Sequence, residues 1–524
     1  MLRSPLLFLR LLGVARVLAR HDALAALESS RIPLPFARAL RRVFRPRLFN
    51  RAEAPGRPGE KLARALTDLG PSFIKLGQFL ATRADLVGDE VAADLAELQD
   101  RLAPFPTAEA RRIIATELGR PLDELFTDFA EEPVSAASIA QVHFAVTRPQ
   151  DAGEAPVEVA VKILRPGIEA AVERDLALFY WLAEIAERAE PRLRRLKPLE
   201  VVALFERTVR VEMDLRMEAS ACAELGENFA GDPTYRVPEI DWQRTGQRVL
   251  TQTRLTGIRM GDRKALLAAG HDLQAILSSA AAIFFNQVFR DGFFHGDQHP
   301  GNMFVCPDGA IGAVDFGIMG RLDRATRFFL ADMLLATLAR DYRRLAEVHV
   351  AAGYLPSGQP LDLFAQALRS VGEPIFGQPL NRISFARLLG QLLKVTDSFD
   401  MPVQPQLVLL QKNMLMAEGV SRQIDPNLNI WLLAEPLIAR WMRETRGPAA
   451  RAQQAAKEIS GALERLPGSL AALESLLEQA ANGGLAIRAE SLGEALRPRG
   501  ARAWNWPLLT AVAALAMAAL ALLK

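Results

Sequence analysis

His295-Gly-Asp-Gln-His-Pro-Gly-Asn302, followed by Asp315-Phe-Gly317, is the stretch that decides how this 524-residue chain folds. Ile311-Gly-Ala-Val314 reads as a short strand that delivers Asp315. The spacing Asp297-x-x-x-x-Asn302, with a second carboxylate at Asp315, gathers three oxygen-bearing side chains. Phosphoryl transfer asks for little more than a metal clamp on the phosphates and one carboxylate that orients or deprotonates the acceptor. Mg²⁺ prefers hard oxygen ligands. Asn302 and Asp315 are therefore expected to hold Mg²⁺, leaving Asp297 for the acceptor proton. An isolated Asp-Phe-Gly arises by chance; two spaced motifs in this order, with a strand running into the second, make chance a poor account.

The same two motifs match the H-R-D-x-x-x-x-N loop and the D-F-G of protein kinases, and the upstream sequence supplies the remaining parts. Val157 to Leu164 reads as a strand carrying Val159-Ala-Val-Lys162. Its lysine stands where kinases hold the nucleotide phosphates and pair with a helix glutamate. Lys is scarce beside Arg in this chain, so each motif lysine carries weight. The tight turn before that strand, Val134-Ser-Ala-Ala-Ser-Ile-Ala-Gln-Val142, contains no glycine. Small Ala136, Ala137 and Ala140 still permit backbone to approach phosphate, and Ser135 and Ser138 add hydroxyls. Each Cβ restricts the positive-φ conformations that a Gly-rich loop uses, so a stiffer lid is expected, suited more to holding or hydrolysing a nucleotide than to rapid peptide phosphorylation. Lys162 and the backbone of this turn are expected to meet the phosphates of a nucleotide.

Leu199 to Phe229 reads as one long amphipathic helix carrying Glu212, Asp214 and Glu218. One of these acids is expected to pair with Lys162, Glu212 first and Glu218 second. Asp214 and Glu218 share a face at i,i+4, and Glu212 does not. Arg248 to Gly257 reads as the strand and linker joining two lobes. No A-P-E follows Gly317, so a standard activation segment and peptide dock are not expected.

Farther out, Lys61 to Leu86 has helical periodicity and carries Lys75-Leu-Gly77-Gln78. Residues 1–60 are Arg-rich and end in a Pro/Gly linker. Two readings fit the first helix: a basic amphipathic segment on an anionic membrane, or a surface helix packed on the next domain. A transit peptide would have a similar composition. At the other end, 503–523 carry no charge, follow the basic Arg497–Arg502, and begin with Trp504 and Trp506. At ~1.5 Å per residue the run spans roughly the ~30 Å hydrocarbon core. A single C-terminal transmembrane helix is expected, with the body on the cytoplasmic side. The formal charge is +2, and nucleic acid is not an expected partner. Two cysteines, Cys222 and Cys306, suggest a reducing compartment and no disulfide framework.

The expected division is a basic segment (1–60), a helical extension (61–130), a nucleotide-binding N-lobe with inserted helices (131–257), a helical C-lobe (258–445), amphipathic helices (446–502) and the anchor (503–523). Together, Lys75-x-Gly77-Gln78, the Ala/Ser turn with Ile139-Ala-Gln-Val-His143, Val159-Ala-Val-Lys162, Glu212-x-Asp214, His295-Gly-Asp297-x-His-Pro-Gly-Asn302 and Asp315-Phe-Gly resemble the UbiB family of atypical kinases. That resemblance implies an α+β, protein-kinase-like bilobal fold with a helical N-terminal extension, ATP and Mg²⁺ as cofactors, and residues 134–142 with Lys162 as the ATP contacts. It also implies a role in ubiquinone biosynthesis at the inner membrane, beside membrane lipids, ubiquinone precursors and other enzymes of that route. The Lys75 motif would fold over the place a substrate protein otherwise takes. One departure is Gln252-Thr253, where the family has a Met-Glu-like pair at the adenine edge. Two competing functions are a small-molecule phosphotransferase of the aminoglycoside or choline kinase type, and a nucleotide-binding scaffold with little catalysis. The first leaves Lys75-x-Gly77-Gln78 unexplained, and the intact acids argue against the second.

Overall fold

The computed structural model describes residues 4–23, 56–81, 87–96, 102–150, 153–189, 197–374, 405–425 and 430–447, with single positions between them. It divides into Met1–Met442 and Arg443–Lys524. Of the second unit only the end of one helix is described, so the expected helices of 446–502 and the span at 503–523 lie outside the described residues. Among the described residues no helix is long and apolar enough to cross a membrane.

Strands β1 (Phe126–Phe129), β2 (Ser135–Ala136), β3 (Ala140–Thr147), β4 (Glu158–Leu164) and β6 (Val249–Thr253) form the N-lobe sheet, in the order β1-β3-β4-β6 with β2 hairpinned onto β3. All its pairings are antiparallel. Alternation along β4 sorts its side chains to two faces. Val159, Val161 and Ile163 are buried with Phe105, Ile113, Ile114, Phe126 and Phe129. Each such side chain contributes about 1.5–3 kcal/mol of burial. The opposite face carries Lys162, which stands across from Val142 on β3 and Leu250 on β6.

The helical extension comprises α1 (Ser4–Arg20), α2 (Pro58–Leu69), α3 (Pro71–Ala81) and α4 (Asp89–Ala96). Its core, with Leu62, Leu66, Phe73 and Leu95, is continuous with Ile139, Ala140 and Leu164 of the sheet and with Leu215 and Ala219. Of the two readings of the first helix, packing on the next domain is seen: Val14 and Ala15 are buried, and Arg10 reaches Asp175 at 2.8 Å. Leu6, Phe8 and Leu9 remain exposed on its other side. Helix α5 (Thr107–Leu118) covers the N-lobe sheet, and α6 (Ile168–Ala189) packs on the extension.

The long helix expected over Leu199–Phe229 is two helices, α7 (Pro198–Glu212) and α8 (Leu215–Asn228). The break lies at Met213–Asp214, because Asp214 turns its carboxylate onto the Arg216 amide and caps α8. Asp214 is thus a cap rather than a helix-face partner of Glu218.

The C-lobe begins after Gly257, where an added Cβ would stand 2.6 Å from the Val305 carbonyl oxygen; only glycine lets the linker lie this close to the next sheet. That sheet runs β5 (Tyr235–Arg236), β10 (Ile311–Ala313), β9 (Met303–Val305), β7 (Ile258–Arg259), while β8 (Phe293–His295) pairs with β11 (Met319–Arg321). Around them stand α9 (Leu273–Phe285), α10 (Arg324–Leu338), α11 (Tyr342–Ala351), α12 (Leu361–Gly372), α13 (Pro405–Ile424) and α14 (Ile430–Arg446).

Candidate active site

Strand β4 delivers Lys162, the first turn of α8 delivers Glu218, and the exit of β10 delivers Asp315. The Lys162 ammonium donates to both Glu218 carboxylate oxygens at 2.8 Å and to Asp315 Oδ1 at 2.9 Å. Burial opposes the lysine's charge, yet the Asp315 and Glu218 carboxylates outweigh it and hold its pKa above the ordinary value. The Lys162 ammonium in turn holds the Asp315 carboxyl well below the usual carboxylate range. Burial pushes the Glu218 carboxyl up, with the Lys162 charge pulling against it. The expected first-choice partner of Lys162 is corrected here. Glu212 is the last residue of α7, on the far side of the helix break, and ion-pairs with Lys75 at 3.0 Å. Asp315 takes φ +67°, a left-handed conformation that short polar side chains tolerate best. Its side chain stays 52 % exposed, so it is both paired and open to the cleft.

The loop between β8 and β9 is set by His295. Its Nδ1 accepts the Asp297 amide at 3.0 Å, which places its proton on Nε2, facing the Val314 carbonyl at 3.2 Å. Burial holds this imidazole below its ordinary pKa, in the neutral form. Phe316 is buried against the His295 ring, so the middle residue of Asp-Phe-Gly is a packing residue. Asn302 donates its amide to the Asp297 carbonyl at 3.1 Å, which leaves its Oδ1 as the acceptor end. Asp315 and Asn302 suit Mg²⁺ by donor type but are too few to hold it without phosphate oxygens. Consistent with that, no cluster of three or more His, Cys, Asp or Glu able to hold a metal occurs among the described residues.

Two residues from α13 complete the loop. Asn413, fully buried, donates to the His295 carbonyl at 2.7 Å and accepts the Gln298 amide at 3.3 Å. Its neighbour Lys412 donates to Asp297 Oδ1 at 2.8 Å.

The predicted nucleotide contacts divide. Val134 and Ser135 are exposed, Ala136, Ala137 and Val142 partly so, and Val142 shares the Lys162 face. Ser138, Ile139, Ala140 and Gln141 are buried. The Ser138 hydroxyl is thus not presented to a ligand. The Gln141 amide is spent on the Phe105 backbone, at 3.0 and 3.3 Å, and on His143 at 2.9 Å. Both side chains are thus held within the protein, and the turn packs through Ile139 and Ala140 on the core of the helical extension. The turn is closed by the Ala137 amide on the Ala140 carbonyl at 2.8 Å, and none of residues 134–142 takes a positive φ. The glycine-free sequence is therefore met by backbone that any residue adopts.

In the Lys75 motif, Gly77 is a close-approach residue. A Cβ there would stand 2.7 Å from Leu66 Cδ1 and 2.8 Å from Leu98 Cδ2. Gln78 stands beyond it, partly buried on α3. Lys75, besides its pair with Glu212, adds to the field that keeps Asp315 ionised. The motif helix thus reaches the cleft electrostatically.

Residues 97–349 match the family model of the ABC1 atypical kinase-like domain, and 368–429 that of the UbiB helical domain. A protein from Marinobacter nauticus named probable protein kinase UbiB is 43% identical over 78% of this chain and 74% of its own. One of the same name from Xanthomonas euvesicatoria is 41% identical over 91% of this chain and 86% of its own. The chain belongs to the UbiB family of atypical kinases. Its fold is the kinase-like bilobal α+β fold. The Mycobacterium tuberculosis protein Rv3197, solved as a complex with erythromycin, superposes with a TM-score of 0.50 at 25% identity, covering 64% of this chain and 83% of that one. Lys412 and Asn413 fall within the UbiB helical domain, outside the kinase motifs. A search centred on kinase motifs passes over them; the scarcity of lysine was the one signal that could have found Lys412.

Proposed function

We propose that this chain is a Mg-nucleotide-dependent phosphotransferase or ATPase that supports ubiquinone synthesis at the inner membrane. The observation that carries the reading is the convergence of Lys162, Glu218 and Asp315 in the cleft, beside a loop that presents Asp297 and Asn302 and bonds the Val314 amide next to Asp315. Lys162, oriented by the buried Glu218, is placed to bind phosphate oxygens. Asp315 and Asn302 would hold Mg²⁺, which when bound neutralises charge on the phosphates. Asp297, on a loop fixed by neutral His295 and Asn413, accepts the proton of a water or alcohol acceptor. The Lys75–Glu212 pair seats the motif helix beside this cleft and favours a restricted substrate over a general protein dock. The exposed Leu6, Phe8 and Leu9 of α1, and the uncharged sequence 503–523, support action next to lipid on an apolar precursor or within a membrane-bound enzyme complex. The test has two arms. Wild type and Asp315→Asn are compared for ATP turnover, and for restoring quinone content to cells lacking the gene. Loss of both with Asp315→Asn is expected; full complementation by that variant would exclude a chemical role.

A further inference from the structure

Three lysines meet acids of the cleft, and two have roles that the motifs anticipate. Lys162 is held by Glu218 and Asp315, and Lys75 by Glu212. The third, Lys412, lies on α13, far along the sequence from every kinase motif, yet its ammonium is 2.8 Å from Asp297 Oδ1. The chain has only nine lysines, so this placement is a selective use of a rare residue. Its root is fixed, because the adjacent Asn413 is bonded to the loop on both sides of Gly296-Asp297. The loop brings no Lys or Arg between 296 and 302. Its single imidazole there, His299, accepts the Gly301 amide on Nδ1 at 3.1 Å.

We propose that Lys412, supplied by the helical domain, is a catalytic cation that stabilises the transferring phosphoryl group beside Asp297. This rests on the phosphotransfer reading above. In that step the acceptor oxygen forms a new O–P bond to the γ-phosphorus as the bond from phosphorus to the ADP oxygen breaks. ADP keeps the bonding pair, and the acceptor's proton passes to the Asp297 carboxylate. The negative phosphoryl oxygens are repelled most where they approach the Asp297 carboxylate, so a cation between the two acts where repulsion is greatest. Lys suits this role: its ammonium is a compact point charge on a flexible stem, able to turn from Asp297 to a phosphoryl oxygen while its backbone stays anchored. The helical domain is on this view part of the catalytic apparatus.

The test uses the full chain and the variants K412M, K412C and D315N. Cys222 and Cys306 are buried, so aminoethylation of folded K412C falls on the introduced thiol and rebuilds a lysine-like ammonium. For K412M a fall in kcat of about 100-fold is expected, the order seen on removing one preorganised charge-stabilising donor, with KM for MgATP changed by less than about 3-fold. Affinity for Mg-ADP should be unchanged. Affinity for Mg-ADP with aluminium fluoride, which presents the charge of the transferring group, should fall by about 100-fold. Aminoethylation of K412C should recover at least about 10-fold in both kcat and aluminium fluoride affinity. A K412M kcat within about 3-fold of wild type, or a loss that aminoethylation leaves unrepaired, would overturn the role of Lys412 while an inactive D315N kept phosphotransfer intact. A wild-type chain with neither ATP turnover nor Mg-ADP binding would exclude phosphotransfer and the role of Lys412 with it.

Discussion

Lys162→Met gives a sharp test of which acid the lysine serves. The substitution leaves Glu218, whose side chain is 7 % exposed, without its cation. Removing one partner of a buried ion pair costs about 3–5 kcal/mol, whereas replacing both by apolar groups of similar volume is often neutral. Asp315 contributes little to the penalty, because its half-exposed carboxylate can be rehydrated. Taking about 3 kcal/mol, and about 2–3 °C per kcal/mol for a unit of this size, the melting temperature should fall by roughly 6–9 °C. Lys162→Met/Glu218→Met should then melt above the single variant, recovering at least half of the loss, while Lys162→Met/Glu212→Met should not. The assay is thermal unfolding followed by circular dichroism at one fixed heating rate. The pH dependence adds a sign. Glu218 is an acid whose pKa burial already raises, and loss of Lys162 raises it further. Such a group contributes stability that is present below its unfolded pKa of about 4.3 and is lost as pH rises through the folded value. The gap between Lys162→Met and wild type should therefore narrow as pH falls from 7 towards 5. Rescue by Glu212→Met instead of Glu218→Met, or a gap that widens on acidification, would show that Glu218 is not the buried partner of Lys162.

Other outcomes follow from the same geometry. Asn413→Leu leaves the buried His295 carbonyl and Gln298 amide unpaired; a loss of about 2–3 kcal/mol is expected, read as a lower urea midpoint with an unchanged slope. Glu212→Gln weakens the pair that seats α3, so amide exchange over residues 71–81 should speed up, and exchange in β4 should not. Burial lowers the pKa of His143, His295 and His349. A base with a depressed pKa stabilises above its unfolded value of about 6.5, and that stability is lost as pH falls through the folded value. Wild-type melting temperature should decline below about pH 6.5, and His349→Phe should flatten part of the decline. Gly257→Ala places a Cβ 2.6 Å from the Val305 carbonyl oxygen; overpacking against backbone should cost about 1–3 kcal/mol, measured as a drop in melting temperature.

The motifs carried much of the fold and site in their own residue types. A lysine closing an apolar strand and a carboxylate leaving another need only short-range pattern to be located, and both stand where the spacing placed them. Glu218 was less legible, because the choice between it and Glu212 depends on one capping interaction. Asp214 at the head of α8 ends the helical register, and periodicity counted through that point assigns faces wrongly. The burial of Ser138 and Gln141 is tertiary in origin: Gln141 is tied to the Phe105 backbone, 36 residues away, which no local pattern reports. Lys412 and Asn413 act across 115 and 118 residues of sequence, on Asp297 and His295 respectively, a separation at which only the folded chain reveals the pairing.

The proposed Mg-nucleotide site is formed by Lys162, Asp315 and Asn302. Calorimetric titration of ATP into the full chain, with and without Mg²⁺, and into Asp315→Asn, tests it most directly. Binding that requires Mg²⁺ and weakens at least about 10-fold in Asp315→Asn is expected, a change of about 1.4 kcal/mol. Equal affinity with and without the metal, and in the variant, would contradict it.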